Sequence, residues 1–355
     1  MRPNGYTRDV DPLWALRQVA FRLERAGEPT YRVRAFRRAA EVIAALPAGE
    51  LDRRVAAGTL TDLSGIGKAT ASVIVDAVRG REPAYLDKVA APTPVTGGHE
   101  LRAALKGDCH THSDWSDGGS PIREMAEAAR DLGHEWMALT DHSPRLTVAG
   151  GLSAERLRRQ LEVVAELNVE LAPFLILTGI EVDILDDGAL DQTDELLAQV
   201  DVVVASVHSK LRMPEREMTE RLLTAVANTH TDILGHCTGR LVVGKGRPES
   251  TFDADRVFEA CREHGTAVEI NSRPERRDPP TRLLQLAVAI GCDFAIDSDA
   301  HAPGQLDWLV YGCERAEANG VTADRVINTR TATALLTRES NTHAPRVEHS
   351  DTPNP

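Results

Sequence analysis

The sequence predicts an α/β protein, a seven-stranded barrel preceded by a small all-α unit. Three observations lead there. Between residues 106 and 296, seven short β-rich apolar runs alternate with helical stretches, the rhythm of parallel strands joined by crossover helices. Each run ends in a His, Asp, Glu or Asn, and in parallel barrels the carboxyl end of the strands is where sites are built. Residues 10–88 show helical periodicity alone.

In the all-α part, Leu13, Leu16, Ala20 and Leu23 recur at helical spacing, as do Phe36, Ala40, Ile43 and Ala44. The segment Leu63-Ser64-Gly65-Ile66-Gly67-Lys68 interrupts the pattern, which resumes from Ala69 to Val78. The Pro-, Gly- and Thr-rich stretch APTPVTGGH at 91–99 marks a linker. The expected organisation is therefore a helical unit over 1–90, a linker over 91–105, a barrel over 106–339 and a disordered tail over 340–355. The strands are expected near 106–110, 136–140, 175–182, 202–207, 233–235, 267–270 and 293–296.

Composition narrows the class. The chain is 42% hydrophobic and 27% charged, ordinary for a globular protein. No apolar run approaches the roughly 20 residues of a membrane span, and the first residues lack a signal-peptide core, so a cytoplasmic location is expected. Five scattered cysteines without a C-x-x-C pair argue against a disulfide scaffold or a zinc ribbon. Net charge is −13, yet residues 1–90 hold 15 basic and 11 acidic side chains. An acidic body suits cation chelation, and a mildly basic head suits anion contact.

The chemistry lies at the strand ends. The first strand runs into Asp108-Cys109-His110-Thr111-His112, with Asp117 close behind. The later runs end in Asp141-His142, Glu181, His208, His236, Glu269-Ile270-Asn271 and Asp299-Ala300-His301. Side chains alternate along a strand, so His110 and His112 share one face. Imidazole mixed with carboxylate suits Zn²⁺, Mn²⁺ or Fe²⁺ better than Mg²⁺. Lys210, Arg240, Lys245, Arg247, Arg273 and Arg276 follow strand ends. Of these, Lys210, Arg240 and Arg273 are the candidates for gripping a substrate phosphate. Trp115 lies near the expected metal ligands, where it lines the pocket or packs. An aromatic content of 4% excludes an extensive base-stacking platform.

The segments DCHTHSDWSDG, LTDHS, GIEVDI, VHS, GHCTGR and SDAHAP resemble, as an ordered set, the motifs of the PHP (polymerase and histidinol phosphatase) superfamily. The resemblance spans about residues 106–335 and implies a distorted (β/α)7 barrel with a trinuclear metal centre. Carried over by motif, it implies that His110, His112, Glu181 and Asp299 hold one metal, and that Glu181 bridges to a second held by His208 and His236. Asp117, His142 and His301 would hold the third. The head, with YRVRAFRRAAEVIAALP and LSGIGKATASVI, resembles the helix-hairpin-helix domain of X-family DNA polymerases. Bacterial members join that domain to a polymerase palm and a C-terminal PHP domain; here no palm intervenes, and Cys237 stands where proline is expected in GHCTGR. Gly65, Gly67 and Lys68 are the expected DNA contacts, because backbone N–H groups at a helix start bind phosphate. Arg32, Arg34, Arg37 and Arg38 are read as further phosphate contacts near them.

The expected function is metal-dependent phosphoester hydrolysis by a metal-activated hydroxide, with two to three divalent ions, Mn²⁺ or Zn²⁺ and also Fe²⁺ as candidates. Glu181, Asp299 and His301 are the expected catalytic residues. DNA cut from a 3′ end is the first substrate expected. The alternatives are a small-molecule phosphatase of the histidinol phosphate type, and a DNA-binding repair scaffold with structural metals.

Overall fold

A computed structural model describes residues 11–89 and 94–337. The expected tail and part of the expected linker lie outside the described residues. The chain divides into two compact units, residues 1–94 with 303–305, and residues 95–302 with 306–355.

The first unit is helical. Helix α1 (Pro12–Arg25) starts where the Asp11 carboxylate accepts from the N–H groups of Leu13 and Trp14, with proline at the first helical position. Its Leu16, Val19 and Leu23 pack with Phe36 and Ile43 of α2 (Thr30–Ala44) and with Val73 and Ile74 of α4 (Lys68–Val78) in one core. Helix α3 (Glu50–Ala57) precedes the turn into α4. Gly65 takes the left-handed region at φ +95° in that turn, where a Cβ would crowd Arg38 and Val42 at 3.1 Å.

The second unit is the barrel. Its strands are β1 (Gly107–Thr111), β2 (Trp136–Leu139), β3 (Leu175–Asp183), β4 (Val202–Ser206), β5 (Ile233–Leu234), β6 (Ala267–Asn271) and β7 (Phe294–Asp297). They pair in sequence order, each parallel to the next. Almost every strand residue is buried, because helices cover the outer face while side chains fill the interior. The crossovers are carried by α6 (Ile122–Asp131), α7 (Ala154–Leu171), the short α8 (Asp194–Leu197), α9 (Glu215–Val226), α10 (Ala254–His264) and α11 (Thr281–Ile290). Helix α12 (Leu309–Ala318) follows β7.

The closure between β1 and β7 is where the barrel is distorted. No continuous ladder joins them among the described residues; one bridge links Thr111 to Ala300, with the His112 N–H donating to the Ala300 carbonyl at 2.8 Å. Below it, side chains replace backbone pairing. The Cys109 N–H donates to Asp297 at 3.0 Å, and the Ser298 hydroxyl donates to Asp108 at 2.5 Å. Burial, together with the neighbouring Asp108 charge, holds the Asp297 carboxyl well above its usual range.

One expectation fails at the boundary. Residues 99–104, inside the linker expected over 91–105, form helix α5 (His99–Ala104). Leu101 and the following Leu105 are buried in the barrel core. Two apolar anchors hold a short helix that its flanking glycines conceal in the sequence.

Gly235 precedes His236 and gives a test of the packing. A Cβ there would sit 2.2 Å from Ser206 Oγ and 2.8 Å from a Val204 methyl. Gly235→Ala is expected to lower the urea midpoint of the barrel by the equivalent of about 1–3 kcal/mol, the usual cost of overpacking. An unchanged midpoint would show that β4 and β5 are not held at this spacing.

Candidate metal centre

Six of the seven strands, all but β6, bring the nine expected ligands to the carboxyl end of the barrel, around Glu181. That residue lies on β3 and is 1% exposed. Its Oε2 lies 3.3 Å from His110 Nε2, 3.6 Å from His112 Nε2 and 2.8 Å from His142 Nδ1. Its Oε1 lies 3.3 Å from His208 Nε2 and 3.0 Å from His236 Nε2. One carboxylate thus faces five imidazoles, delivered by β1 and by the ends of β2, β4 and β5.

The remaining ligand types sit at the rim. Asp117 Oδ1 lies 3.4 Å from His142 Nε2 and 3.3 Å from His301 Nε2. Asp299 Oδ1 lies 3.5 Å from both His112 Nε2 and His301 Nδ1. Asp299 occupies the left-handed region at φ +51°, uncommon for a residue other than glycine and frequent at functional sites. Asp tolerates it better than most because a short polar side chain bonds locally.

Electrostatics follow from this crowding. Burial would raise the Glu181 carboxyl, but His110, His142 and His208 outweigh it and hold it well below the usual carboxylate range. Asp299 behaves likewise, with Arg273 and Arg276 overriding burial. Burial, reinforced by His301 and His142, pushes His112 well below the ordinary histidine value. Opposing burial, Glu181 and Asp183 lift His208 to about 9.

The residues fit a group of cations. Buried His110 Nε2, both ring nitrogens of His112, His142 Nδ1, both ring nitrogens of His208, His236 Nδ1 and Glu181 Oε2 lack a hydrogen-bond partner among the described residues. Buried polar atoms are normally satisfied, so a shell of orphaned nitrogens around one carboxylate calls for positive charge between them. Three groups have ligand atoms within 4.8 Å of one another: His112, Asp117, His142 and His301; His110, His112 and Glu181; and His142, Glu181 and His208. His112 and His142 each enter two groups, where motif alone assigns each to one.

Three further residues shape the centre. Glu269 Oε1 lies 2.6 Å from His110 Nδ1, so that ring's Nε2 turns toward Glu181. Asp183 Oδ1 lies 3.4 Å from His208 Nδ1. Arg276 Nε lies 3.1 Å from Asp299 Oδ2. Glu269 shares the inward face of β6 with Asn271, and Asp183 that of β3 with Glu181; the period-two alternation that picked out His110 and His112 also marks them. Arg276 carried no comparable signal.

The expected phosphate grips divide. Arg273 reaches the centre, 3.0 Å from His301 Nδ1 and 3.1 Å from the Asp299 carbonyl. Arg240 donates to the carbonyls of Arg276 and Arg277, and Lys210 pairs with Asp186. Neither Arg240 nor Lys210 bonds any of the nine residues. Their long side chains found nearer acceptors in the neighbouring loops, after β6 and after β3.

In the helical unit, Lys68 is exposed at the first position of α4. The Gly67 N–H is already engaged by the Thr70 hydroxyl at 2.9 Å, so the capping box takes the donor that sequence reasoning offers to phosphate. Arg37 is committed to Glu24 at 2.8 Å, and Arg32 and Arg38 pair with Glu28 and Glu41. Arg34 is exposed and makes no ion pair among the described residues.

Comparison with known proteins places this architecture. The family described as the PHP domain matches residues 108–273, and that described as the helix-hairpin-helix domain matches residues 10–82. The DNA polymerase/3′-5′ exonuclease PolX of Bacillus subtilis (strain 168) is 44% identical over 226 residues, which are 64% of this chain and 39% of the relative. A probable phosphatase of Thermoanaerobacter sp. (strain X514) is 30% identical over 233 residues, covering 62% of this chain and 89% of the relative. A solved histidinol phosphate phosphatase from Lactococcus lactis, complexed with zinc, L-histidinol and phosphate, is 21% identical. It matches with a TM-score of 0.47, over 61% of this chain and 95% of that one. Among the described residues, no helix is long and apolar enough to cross a membrane.

The centre predicts a thermal response. Mn²⁺ or Zn²⁺ at about a hundredfold excess over Kd is expected to raise the Tm of the metal-stripped chain by about 5–10 °C. Glu181→Gln should lose most of that rise, because an amide offers one weak acceptor in place of two anionic oxygens. Glu269→Gln should weaken cation affinity about 10–100-fold. Equal shifts in all three proteins would show that cations bind elsewhere.

Proposed function

The chain belongs to the PHP-domain family of hydrolases, and from that premise we propose that it hydrolyses phosphodiester bonds of DNA from a 3′ end. The observation that carries this reading is the presence, in one chain, of a helix-hairpin-helix match over residues 10–82 and a PHP match over residues 108–273. The 44% identity to a relative named as a 3′-5′ exonuclease supports it, although the chain spans only 39% of that relative. A second reading, a small-molecule phosphatase, is favoured by the relatives named as probable phosphatases, one of which the chain covers to 89%.

His110, His112, Glu181 and Asp299 would hold one divalent cation, Glu181, His208 and His236 a second, and Asp117, His142 and His301 a third. Mixed imidazole and carboxylate ligands favour Mn²⁺, Zn²⁺ or Fe²⁺. Such cations, when bound, neutralise phosphate charge and lower the pKa of water. The protein groups prepare that chemistry. Glu269 fixes the His110 ring, and Arg273 fixes His301 and the Asp299 backbone. Arg276 holds Asp299 through Nε while its buried Nη1 has no hydrogen-bond partner among the described residues. That donor, rather than Lys210 or Arg240, would take a non-bridging phosphate oxygen alongside Arg273. His301 would be spent as a cation ligand, so the leaving oxygen would take its proton from water.

Two measurements test the proposal. With Mn²⁺, a 5′-labelled DNA strand should shorten from its 3′ end with a kcat/KM well above that for histidinol phosphate; the reverse order would favour the phosphatase. DNA binding by the full chain should weaken with salt at a logarithmic slope of about −2 to −3, the value for two or three phosphate contacts. Residues 95–355 alone should lose that slope. Equal binding by both proteins would remove the helical unit from DNA recognition.

A further inference from the structure

A concavity lies against the loop that leads from β1 to Asp117. It has a volume of about 390 Å³ and is lined by Asp114, Trp115, Arg156 and Arg159. Trp115 and Asp114 belong to the loop after β1, and the two arginines to α7. The loop is held firmly. Asp141 accepts from the Ser113 N–H at 2.8 Å, the Ser113 hydroxyl at 2.6 Å, the Ser116 hydroxyl at 2.5 Å and the Gln160 amide at 2.6 Å. The Arg156 guanidinium donates to the Trp115 carbonyl and, at 2.7 Å, to that of Gly150. Trp115 is thereby tethered on both sides, and its ring packs partly against the barrel core.

Two features make this more than a surface dent. Arg159 is exposed and forms no hydrogen bond or ion pair among the described residues, whereas Arg156 is spent on backbone carbonyls. Trp115 lies two residues before Asp117, so the two Cα atoms are at most roughly 7 Å apart. Asp117 itself touches His142 and His301. An indole face, an unpaired guanidinium and the Asp114 carboxylate therefore stand one short step from the catalytic centre. A bare phosphate would use only the guanidinium. A nucleotide would use all three: its base can stack on the indole, its phosphate can meet Arg159, and a sugar hydroxyl or base amino group can donate to Asp114.

We propose that this groove is a nucleotide subsite, receiving the nucleotide next to the scissile phosphate. The assignment rests on the phosphodiesterase reading above and gives it a substrate class, a strand with an unpaired end whose base is free to stack. Stacking accepts any base, so the subsite confers preference for nucleic acid over simple esters without sequence selectivity.

The test uses the full chain, the dinucleotide pTpT, and methyl p-nitrophenyl phosphate as a diester that carries no nucleoside. The groove predicts that pTpT quenches tryptophan fluorescence in the wild type. Trp115→Leu should weaken pTpT binding about tenfold and remove most of the quench, whereas Trp115→Phe should keep most of the affinity. Arg159→Ala should weaken pTpT binding by a similar factor, with partial recovery in Arg159→Lys. In Trp115→Leu and Arg159→Ala, the ratio of kcat/KM for pTpT to that for the simple diester should fall about tenfold. Arg158→Ala, on the same helix, should leave affinity and ratio as in the wild type. Unchanged pTpT affinity in both Trp115→Leu and Arg159→Ala overturns the subsite. Parallel loss of both activities with pTpT affinity intact also overturns it, and marks Trp115 as a support of the Asp117 loop. A wild-type chain that leaves both pTpT and the simple diester intact overturns instead the diesterase reading on which the subsite depends.

Discussion

A buried carboxylate facing five imidazoles is the constraint on which the barrel is organised. Glu181 is removed from water, and an isolated ion in that position would cost several kcal/mol. The fold answers with nitrogen donors from β1 and from the ends of β2, β4 and β5. Many of those nitrogens lack a hydrogen-bond partner among the described residues, as suits a cluster that cations complete. The strands must therefore arrive in register, so that ligands from six of them meet at one height. That requirement explains the close approach at Gly235 and the left-handed Asp299, which turns its carboxylate back toward His112.

Around this centre the protein layers its charges by sign. Carboxylates behind the imidazoles, Glu269 behind His110 and Asp183 beside His208, fix ring orientation. Guanidinium groups behind the outer carboxylate, Arg273 and Arg276 on Asp299, keep it ionised. Such alternation prepares a site for anions at its open side and cations at its heart, the arrangement that phosphoester hydrolysis requires. The β1–β7 seam, closed by Asp108, Asp297 and Ser298 rather than by a continuous ladder, adds buried polar groups directly beneath His110.

Much of this is legible in the sequence alone. Strand ends could be read because apolar runs stop abruptly at His, Asp or Glu, and the period of two put His110 and His112 on one side. The same rule reaches Glu269 and Asp183, whose partners lie on other strands, so their roles emerge only from the assembled barrel. Long cations resist such reading. Arg240 and Arg276 follow strand ends alike, yet one ties its loop to carbonyls of the next and the other reaches Asp299, a choice made by loop geometry. Helix α5 was hidden for a different reason: six residues behind two glycines show no period, and only the burial of Leu101 and Leu105 defines them.

The account turns on cations sharing Glu181. Anomalous diffraction from crystals grown with Zn²⁺ or Mn²⁺, recorded at the metal edge, tests that point directly. The account predicts two or three peaks within the cluster of His110, His112, His142, His208, His236 and His301, with Glu181 oxygens bonded to two of them. Peaks that are absent, or that lie away from Glu181, would contradict it.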